Sequence, residues 1–170
     1  MTASDGVAIR DARHDDAELL SAFSSVAYAA AFGSHFTPDD LTAHLNATLS
    51  AESWRRFLAR DRVLLAEIDG SLAGYLQIEP THPRGPFFHR LYVDPNRLGH
   101  GIGSALLRAG LDDPAVKAAP QAVIDVWEHN AVAIRLYTRF GFVPTGERMP
   151  DFVTASGEVS PGDLILVRRR

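Results

Sequence analysis

The sequence predicts a mixed α/β (α+β) fold: a mostly antiparallel central sheet of six to seven strands, flanked by helices on both faces. Three observations lead there. Segments of strand-like and helical periodicity follow one another as strand, helices, a run of strands, helix, strand, helix, strand, strand. Two strands of the central run, Arg62 to Ile68 and Leu72 to Glu79, are joined at Asp69-Gly70, a two-residue hairpin signal. The stretch Ala122 to Trp127 is apolar apart from Asp125, as expected of a strand covered on both faces.

Taken in order, Val7 to Arg10 reads as a short first strand. From Asp15 to Phe32, apolar residues at Leu19, Leu20, Phe23, Val26, Ala27 and Ala30 recur at helical spacing. Thr37-Pro38-Asp39-Asp40 reads as an N-cap, a first-turn proline and acidic first-turn residues of a helix running to about Leu49. Ser53 to Ala59 is a further short helix. After the hairpin, Pro80 to Pro86 is a loop and Phe87 to Val93 a strand. Gly103 to Leu111 is a helix, Asp112 to Pro120 a loop, and Ala122 to Trp127 a buried strand. Ala131 to Phe140 is a helix, and Val143 to Arg148 and Leu164 to Arg168 close the sheet. Pro150 to Asp163 reads as a long, polar, mobile loop. There is no internal repeat and no linker, so residues 1–170 are expected to form one domain.

Composition narrows the function. Hydrophobic residues make up 46% and charged residues 22% of 170 residues, ordinary for a globular chain with a substantial core. No apolar run reaches the length of a membrane span. The start Met1-Thr2-Ala3-Ser4-Asp5-Gly6 has neither a basic nor an apolar region, so no signal peptide and a cytoplasmic location are expected. Cysteine is absent, which excludes disulfides, thiolate metal sites and a cysteine nucleophile. A net charge of -4 argues against broad nucleic-acid binding, and Arg168-Arg169-Arg170 is most simply a solvated basic tip. The His residues show no metal-ligand spacing, and no metal is expected.

The chemistry-bearing stretch runs from Leu91 to Leu107. An apolar strand enters a turn, three glycines follow at alternate positions (Gly99, Gly101, Gly103), and an apolar helix begins at once. Glycines let backbone approach a ligand closely, and a helix start leaves its first N–H groups unpaired. Such a site suits a phosphate or pyrophosphate. On these residues alone, a flexible turn is an equal reading.

A second motif reads Val126-Trp127-Glu128-His129-Asn130-Ala131-Val132-Ala133-Ile134-Arg135-Leu136-Tyr137, then Gly141-Phe142. Together the two motifs resemble the GCN5-related N-acetyltransferase (GNAT) superfamily. Its strand ending Val-x-Pro is matched by Val93-x-Pro95, and its Arg/Gln-x-x-Gly-x-Gly/Ala by Leu98-x-x-Gly101-x-Gly103. Its Asn-x-x-Ala-x-x-Leu-Tyr is matched by Asn130, Ala133, Leu136 and Tyr137. One departure stands out: Leu98 replaces the usual Arg or Gln, with Arg97 beside it as a substitute positive charge or a solvated surface residue. A looser similarity, in Val126 to Arg135 and Ala31-Phe32-Gly33 with Pro38 to Leu41, points to the bacterial polyamine acetyltransferases of that superfamily.

The resemblance implies an acyl-CoA N-acyltransferase fold in which two central parallel strands, here Phe87–Val93 and Ala122–Trp127, splay apart and take the pantetheine arm of acetyl-CoA between them. It implies cofactor contacts from the strand backbone at Leu91, Tyr92 and Val93. It also implies pyrophosphate binding by the loop Leu98, Gly99, His100, Gly101, Ile102, Gly103 and Ser104. Asn130 is expected to contact the pantetheine, to cap the helix, or both. Tyr137 is implied as the general acid at the cofactor sulfur.

The base is chosen on chemistry. An alkyl amine of ordinary pKa costs about 4–5 kcal/mol to neutralise at pH 7, which favours a base beside the wedge. Asp125 is the expected base, being a charge inside an apolar strand; some N-terminal-amine acetyltransferases of the superfamily carry a Glu at the matching place. A structural Asp is the competing reading, and Glu79, Glu128, His89 or water alone are the other candidates for base.

The expected activity is acetyl transfer from acetyl-CoA to a primary amine of a small molecule, polyamine-like or amino-acid-like, in a ternary complex. A peptide or protein N-terminal amine acetyltransferase and a non-catalytic acyl-CoA sensor are the alternatives. A dinucleotide oxidoreductase is disfavoured because Leu106 stands where a third glycine is needed. The expected partner is the amine substrate, with no nucleic acid and no membrane, and a homodimer left open.

Overall fold

The computed structural model describes residues 6–170; residues 1–5, most of the start expected to lack a signal peptide, lie outside the described residues. The strands are β1 Ala8–Asp11, β2 Arg62–Ile68, β3 Ser71–Glu79, β4 Phe87–Val93, β5 Gln121–Val126, β6 Val143–Arg148, β7 Phe152–Val153, β8 Val159–Ser160 and β9 Leu164–Arg169. The helices are α1 Ala17–Phe32, α2 Pro38–Thr48, α3 Ala51–Leu58, α4 Ile102–Leu111, α5 Pro114–Ala118 and α6 Ala131–Arg139. The main sheet has 7 strands in the order β1-β2-β3-β4-β5-β9-β6, and β7 pairs β8 apart from it. All neighbours in the main sheet are antiparallel except β4 and β5.

Helices cover both faces because alternate strand residues are apolar on both. On one face Leu20 of α1 and Trp54 of α3 pack on Val63, Leu65 and Tyr75. The Trp54 indole donates to the Ser24 hydroxyl at 3.0 Å, so its one polar atom is satisfied inside the core. On the other face Leu106 and Leu107 of α4 and Tyr137 of α6 pack on Leu64, Leu76, Ile124 and Phe142.

Two elements depart from the sequence-based expectation. The loop 112–120 contains α5, whose start is set by Asp113: its carboxylate accepts from the N–H of Ala115 at 2.7 Å, with Pro114 in the first turn. The stretch 150–163 is not a bare loop but carries the β7–β8 hairpin. Strands of 2 residues give no readable alternation. The hairpin is held by its turn, Thr154 N–H to Glu158 carbonyl at 2.8 Å, and by α2. There the Asp40 carboxylate accepts from the Ser156 N–H at 2.8 Å and its hydroxyl at 2.6 Å.

One irregularity positions the site. Between β3 and β4, Gln77 pairs Arg90 but the next β3 residue, Ile78, pairs Phe88, which leaves His89 as an extra residue. Such a bulge bends its strand and increases local twist. The parallel pairing of β4 with β5 covers Phe87↔Val123 and Phe88↔Ile124 and then stops. The two strands part at the bulge.

The opening is kept close to α4 by Gly74 on β3. A Cβ there would lie 2.8 Å from the Tyr92 carbonyl oxygen and 3.1 Å from the side chains of Ile102 and Leu106. Gly74→Val therefore forces α4 off the sheet, and overpacking of this kind costs about 1–3 kcal/mol. The expected result is a lower urea midpoint with an unchanged slope.

Candidate active site

Beyond the bulge, the edge of β4 that faces β5 has no strand partner from His89 to Val93. It borders a wedge of about 360 Å³ lined by Leu91, Tyr92 and Val93, by Asp125 and Trp127 on the β5 side, and by Asn130, Ala133 and Tyr137. The wedge runs to Leu98 and Gly103, where the glycine loop begins. Of the expected cofactor residues, six thus line the wedge itself: Leu91, Tyr92, Val93, Leu98, Gly103 and Asn130. Gly99, His100, Gly101, Ile102 and Ser104 form the adjoining loop and first turn, with the Ile102 side chain buried in the core.

The loop has the shape its glycines allow. Gly101 is the N-cap of α4 with φ 79°, a left-handed value that favours glycine, and a Cβ there would meet nothing within 4 Å. The first intrahelical bond is made by the Ala105 N–H to the Gly101 carbonyl at 2.9 Å. The N–H groups of Ile102, Gly103 and Ser104 precede it and make no backbone bond within the helix. Leu98 is 61% exposed on the rim, where an Arg or Gln was expected by resemblance. Arg97 leans back on Asp94 at 3.6 Å and does not line the wedge.

Asn130 is the N-cap of α6: its side-chain oxygen accepts from the Ala133 N–H at 3.1 Å. That bond uses only the carbonyl end of the amide. The NH₂ end remains available toward the wedge.

A larger cavity of about 530 Å³ meets the wedge. Aromatic rings wall it: Tyr28 and Phe32 of α1, Phe36, His44 of α2, Trp127, and Phe152 of the β7–β8 hairpin. Tyr28 stacks on His44 at 4.7 Å, and Phe152 meets His44 edge-on at 5.2 Å. Phe32, His89, Arg90, Tyr92, Asp125, Trp127 and Asp163 line both spaces. The gap between β4 and β5 is thus a passage through the sheet, with α6 on one side and the aromatic cavity on the other.

The charged groups at this junction are unevenly paired. Arg90 donates to the Gln77 side-chain oxygen at 2.6 Å, and Gln77 donates to the Asp61 carboxylate at 2.6 Å. The guanidinium also lies 4.8 Å from the centre of the Phe57 ring. It is a fixed cation with no carboxylate bound to it among the described residues. Burial first, and then Asp163, push the Asp125 carboxyl up to about 7; its own backbone N–H and Arg90 pull partly the other way. Burial also raises the Asp163 carboxyl, against the pull of Arg148. Neither acid forms an ion pair among the described residues, and Arg148 is committed to Glu128 at 2.8 Å. Tyr137 is buried, which holds its hydroxyl well above the usual tyrosine range, with Asp125 and Asp163 adding to the effect.

The other candidate bases are placed differently. Glu79 accepts or shares a proton with the His89 ring at 2.7 Å and does not line either space. His89 itself does line both, and its burial lowers its basicity against the opposing bond from Glu79. Glu128 lies outside both linings, held below the usual carboxylate range by its bond from Arg148.

Three residues of the junction were not singled out from the sequence. Arg90 interrupts the apolar strand Phe87–Val93 much as Asp125 interrupts its own, and the same argument would have found it. Asp163 stands directly before the apolar run Leu164-Ile165-Leu166-Val167, a position that the reading of 150–163 as loop concealed. His44 carries no local signal, because its place depends on how α2 packs.

The sequence model of the acetyltransferase (GNAT) family matches residues 27–142. The chain belongs to that family. It is 34% identical over 137 residues to the mycothiol acetyltransferase of Clavibacter sepedonicus, covering 81% of this chain and 43% of the relative. It is 45% identical over 84 residues to that of Acidimicrobium ferrooxidans, covering 47% of this chain and 27% of the relative. The chain thus spans less than half the length of these relatives. Their name is mycothiol acetyltransferase, not polyamine acetyltransferase, so the looser similarity to the polyamine branch gains nothing from them. Among solved structures, the PaiA N-acetyltransferase of Thermoplasma acidophilum in complex with coenzyme A is similar with a TM-score of 0.80 at 18% identity, covering 96% of this chain and 99% of that one. The yncA putative acetyltransferase of Salmonella typhimurium with acetyl-CoA gives 0.64 at 22% identity, covering 97% and 94%. These confirm the fold expected from the motifs: splayed parallel strands in an otherwise antiparallel sheet between helical layers. Among the described residues no helix is long and apolar enough to cross a membrane, and no metal-ligating group is formed.

Asp125 gives a stability test independent of activity. An acid whose folded value is raised, to about 7 here, binds its proton more tightly folded than unfolded. Its charged form opposes folding above that value, and the penalty disappears as pH falls toward the unfolded value near 4. Asp125→Asn removes the charge. It should stabilise the protein by on the order of 4 kcal/mol at pH 8 and by little at pH 4, read as a pH-dependent difference in denaturation midpoint.

Proposed function

We propose that this protein is an acetyl-CoA-dependent N-acetyltransferase that acts on a primary amine of a small molecule by direct attack. The observation that carries this reading is one continuous path. The unpaired edge of β4 leads into the glycine loop at one end and opens beside Asp125 and Tyr137 at the other. The relatives named above and the coenzyme A held by similar folds support the same reading.

The residues fit the group. Free backbone N–H and C=O groups on β4 offer a strand-like partner to the amides of a pantetheine arm. The N–H groups of Ile102, Gly103 and Ser104, with the positive end of α4, suit a pyrophosphate, and Gly101 leaves room for it. The departure at Leu98 removes a side-chain contact only. Asn130 caps α6 through its oxygen and offers its NH₂ to a pantetheine carbonyl, so both expected roles fit one residue.

Bound there, acetyl-CoA would supply the activated acetyl group. Asp125 takes the proton that the ammonium must lose, a task suited to an acid held near 7. The aromatic cavity delivers the amine from the face opposite Tyr137 and excludes water. Tyr137, kept protonated by burial, hands its proton to the departing sulfur. With acetyl-CoA bound, an N–H of the β4 edge would polarise the acetyl carbonyl.

The direct test is a turnover screen with acetyl-CoA against polyamines, amino acids and short peptides. Small amines should react, and an absence of turnover in the presence of tight coenzyme A binding would instead favour a sensor. Gly101→Asp places a bulky anion in the loop; calorimetry should show much weaker coenzyme A binding with the circular dichroism spectrum kept, and equal affinity refutes the loop assignment. Tyr137→Phe should hold acetyl-CoA affinity while kcat falls about 10²–10⁴-fold; a kcat within about twofold of wild type removes Tyr137 from the mechanism. Asp125→Asn should impair turnover most near pH 7 and least near pH 9–10, where free amine is abundant. A profile parallel to wild type excludes Asp125 as base.

A further inference from the structure

We propose that Asp163 is the second carboxylate of the amine site: together with Asp125 it receives the acceptor as its ammonium ion, and it retains the charge while Asp125 takes the proton. This rests on the acetyltransferase reading above and extends it to how the acceptor is held. The preferred acceptor is therefore a cation that presents its ammonium group to a pair of acids.

The sheet register places the two acids together. Val126 pairs Leu164 and Asp125 pairs Ile165 across β5 and β9. Paired residues of an antiparallel ladder share a face, and residues two apart on a strand do as well. Asp163, two before Ile165, thus falls on the Asp125 face as its diagonal neighbour, roughly 7–8 Å away by backbone spacing. That face is the one on which Val123, Ile165 and Val167 are buried. Both acids line the wedge and the aromatic cavity at their junction.

Asp163 is also held in place from behind. Its carbonyl accepts from the Met149 N–H at 2.8 Å. The preceding carbonyl, of Gly162, accepts from Arg148 at 3.1 Å, and the Gly162 N–H donates to Asp151 at 3.1 Å. Gly162 sits so close that a Cβ there would lie 1.7 Å from the Met149 carbonyl oxygen. The Asp163 backbone is thus anchored just past the end of β6, and the residue lines the cavity. A buried carboxylate without a partner is costly, and two side by side cost more. An ammonium ion between them removes both penalties, and the Tyr28, Phe32 and Trp127 rings favour a cation there.

The other charges around Asp125 do not take this role. Arg90 and His89 approach from β4; Arg90 is a cation and His89 is engaged by Glu79. Tyr137 from α6 is neutral. Across the cavity stand Tyr28, His35, His44 and, from the hairpin, Glu158. Arg148 of β6 opposes Asp163 from behind and is bound by Glu128. In the balanced step the ammonium loses one proton to Asp125, the nitrogen–carbon bond forms, the carbon–sulfur bond breaks, and the sulfur leaves with the Tyr137 proton. The second nitrogen proton restores Tyr137, and Asp125 releases its own to solvent, one proton net.

The test is Asp163→Asn in the full chain, with Asp163→Glu as the charge-retaining control. Asp125 is followed by carboxyl carbon NMR, and steady-state kinetics use whichever amine reacts fastest in the panel above. Removing the neighbouring anion should move the Asp125 midpoint and the acid limb of kcat/KM to lower pH. KM for the amine should rise about tenfold or more, with coenzyme A affinity unchanged, while Asp163→Glu stays near wild type in all three. An Asp125 midpoint and amine KM equal to wild type in Asp163→Asn overturn the proposal, as does a loss confined to kcat or to thermal stability. If Asp163→Asn fails to fold, Asp163→Ser carries the same measurements. Failure of the acetyltransferase reading looks different: wild type itself then turns over no amine.

Discussion

The extra residue at His89 governs the rest of the site. A regular β4 would continue its parallel ladder with β5, close the sheet and bury every backbone group of both strands. The bulge ends the ladder after Phe88↔Ile124. Every later feature uses that interruption: the free edge of β4, the passage between the two faces, and the access of both spaces to Asp125, which interrupts the apolar run from Ala122 to Trp127. The cost is unpaired backbone in the middle of a sheet, which a bound extended chain can satisfy. The bulge also turns Arg90 onto the face of Phe57 and Gln77, where a buried hydrogen-bond chain to Asp61 fixes it.

A second consequence is electrostatic. The two faces of the sheet are packed with apolar side chains, so any charge left in the gap lies in a poorly solvated place. Arg90 satisfies part of its hydrogen bonding through Gln77, but Asp125 and Asp163 have no such partner among the described residues. Their burial therefore shows up as raised proton affinity rather than as paired charge. Tyr137 responds to the same surroundings in the same direction, and burial keeps its hydroxyl protonated. One apolar environment thus raises the proton affinity of Asp125 and of Tyr137 on the two sides of one gap.

Much of this was legible in the chain. The Asp69-Gly70 hairpin, the helices with Thr37 and Asn130 as caps, and the glycine loop all rest on local rules, and each stands within a few residues of its expected place. Tyr137 and Asp125, which line the wedge, stand out in the sequence because one belongs to a spaced motif and the other breaks an apolar run. The bulge at His89 was not legible, since Phe87-Phe88-His89-Arg90-Leu91 reads as an ordinary strand and the extra residue shows only in the pairing with β3. The β7–β8 hairpin was hidden by its brevity, and with it went Asp163. Its role depends on the β9 register and on the anchorage of Gly162, both of which are long-range.

The hairpin matters to the site in a way its size does not suggest. It contributes Phe152 and Glu158 to the cavity wall and is tied to α2 through Asp40 and Ser156, the same helix that brings His44. The aromatic cavity is therefore built by segments far apart in sequence that meet over the gap, α1 and α2 from one end and residues 149–163 from the other. The wedge, by contrast, is lined mostly by residues between β4 and α6, with α1 and Asp163 at its margins. Local motifs can reveal the wedge because most of its lining lies close together in sequence. The aromatic cavity is assembled from distant parts of the chain, and so it is read from the assembled structure.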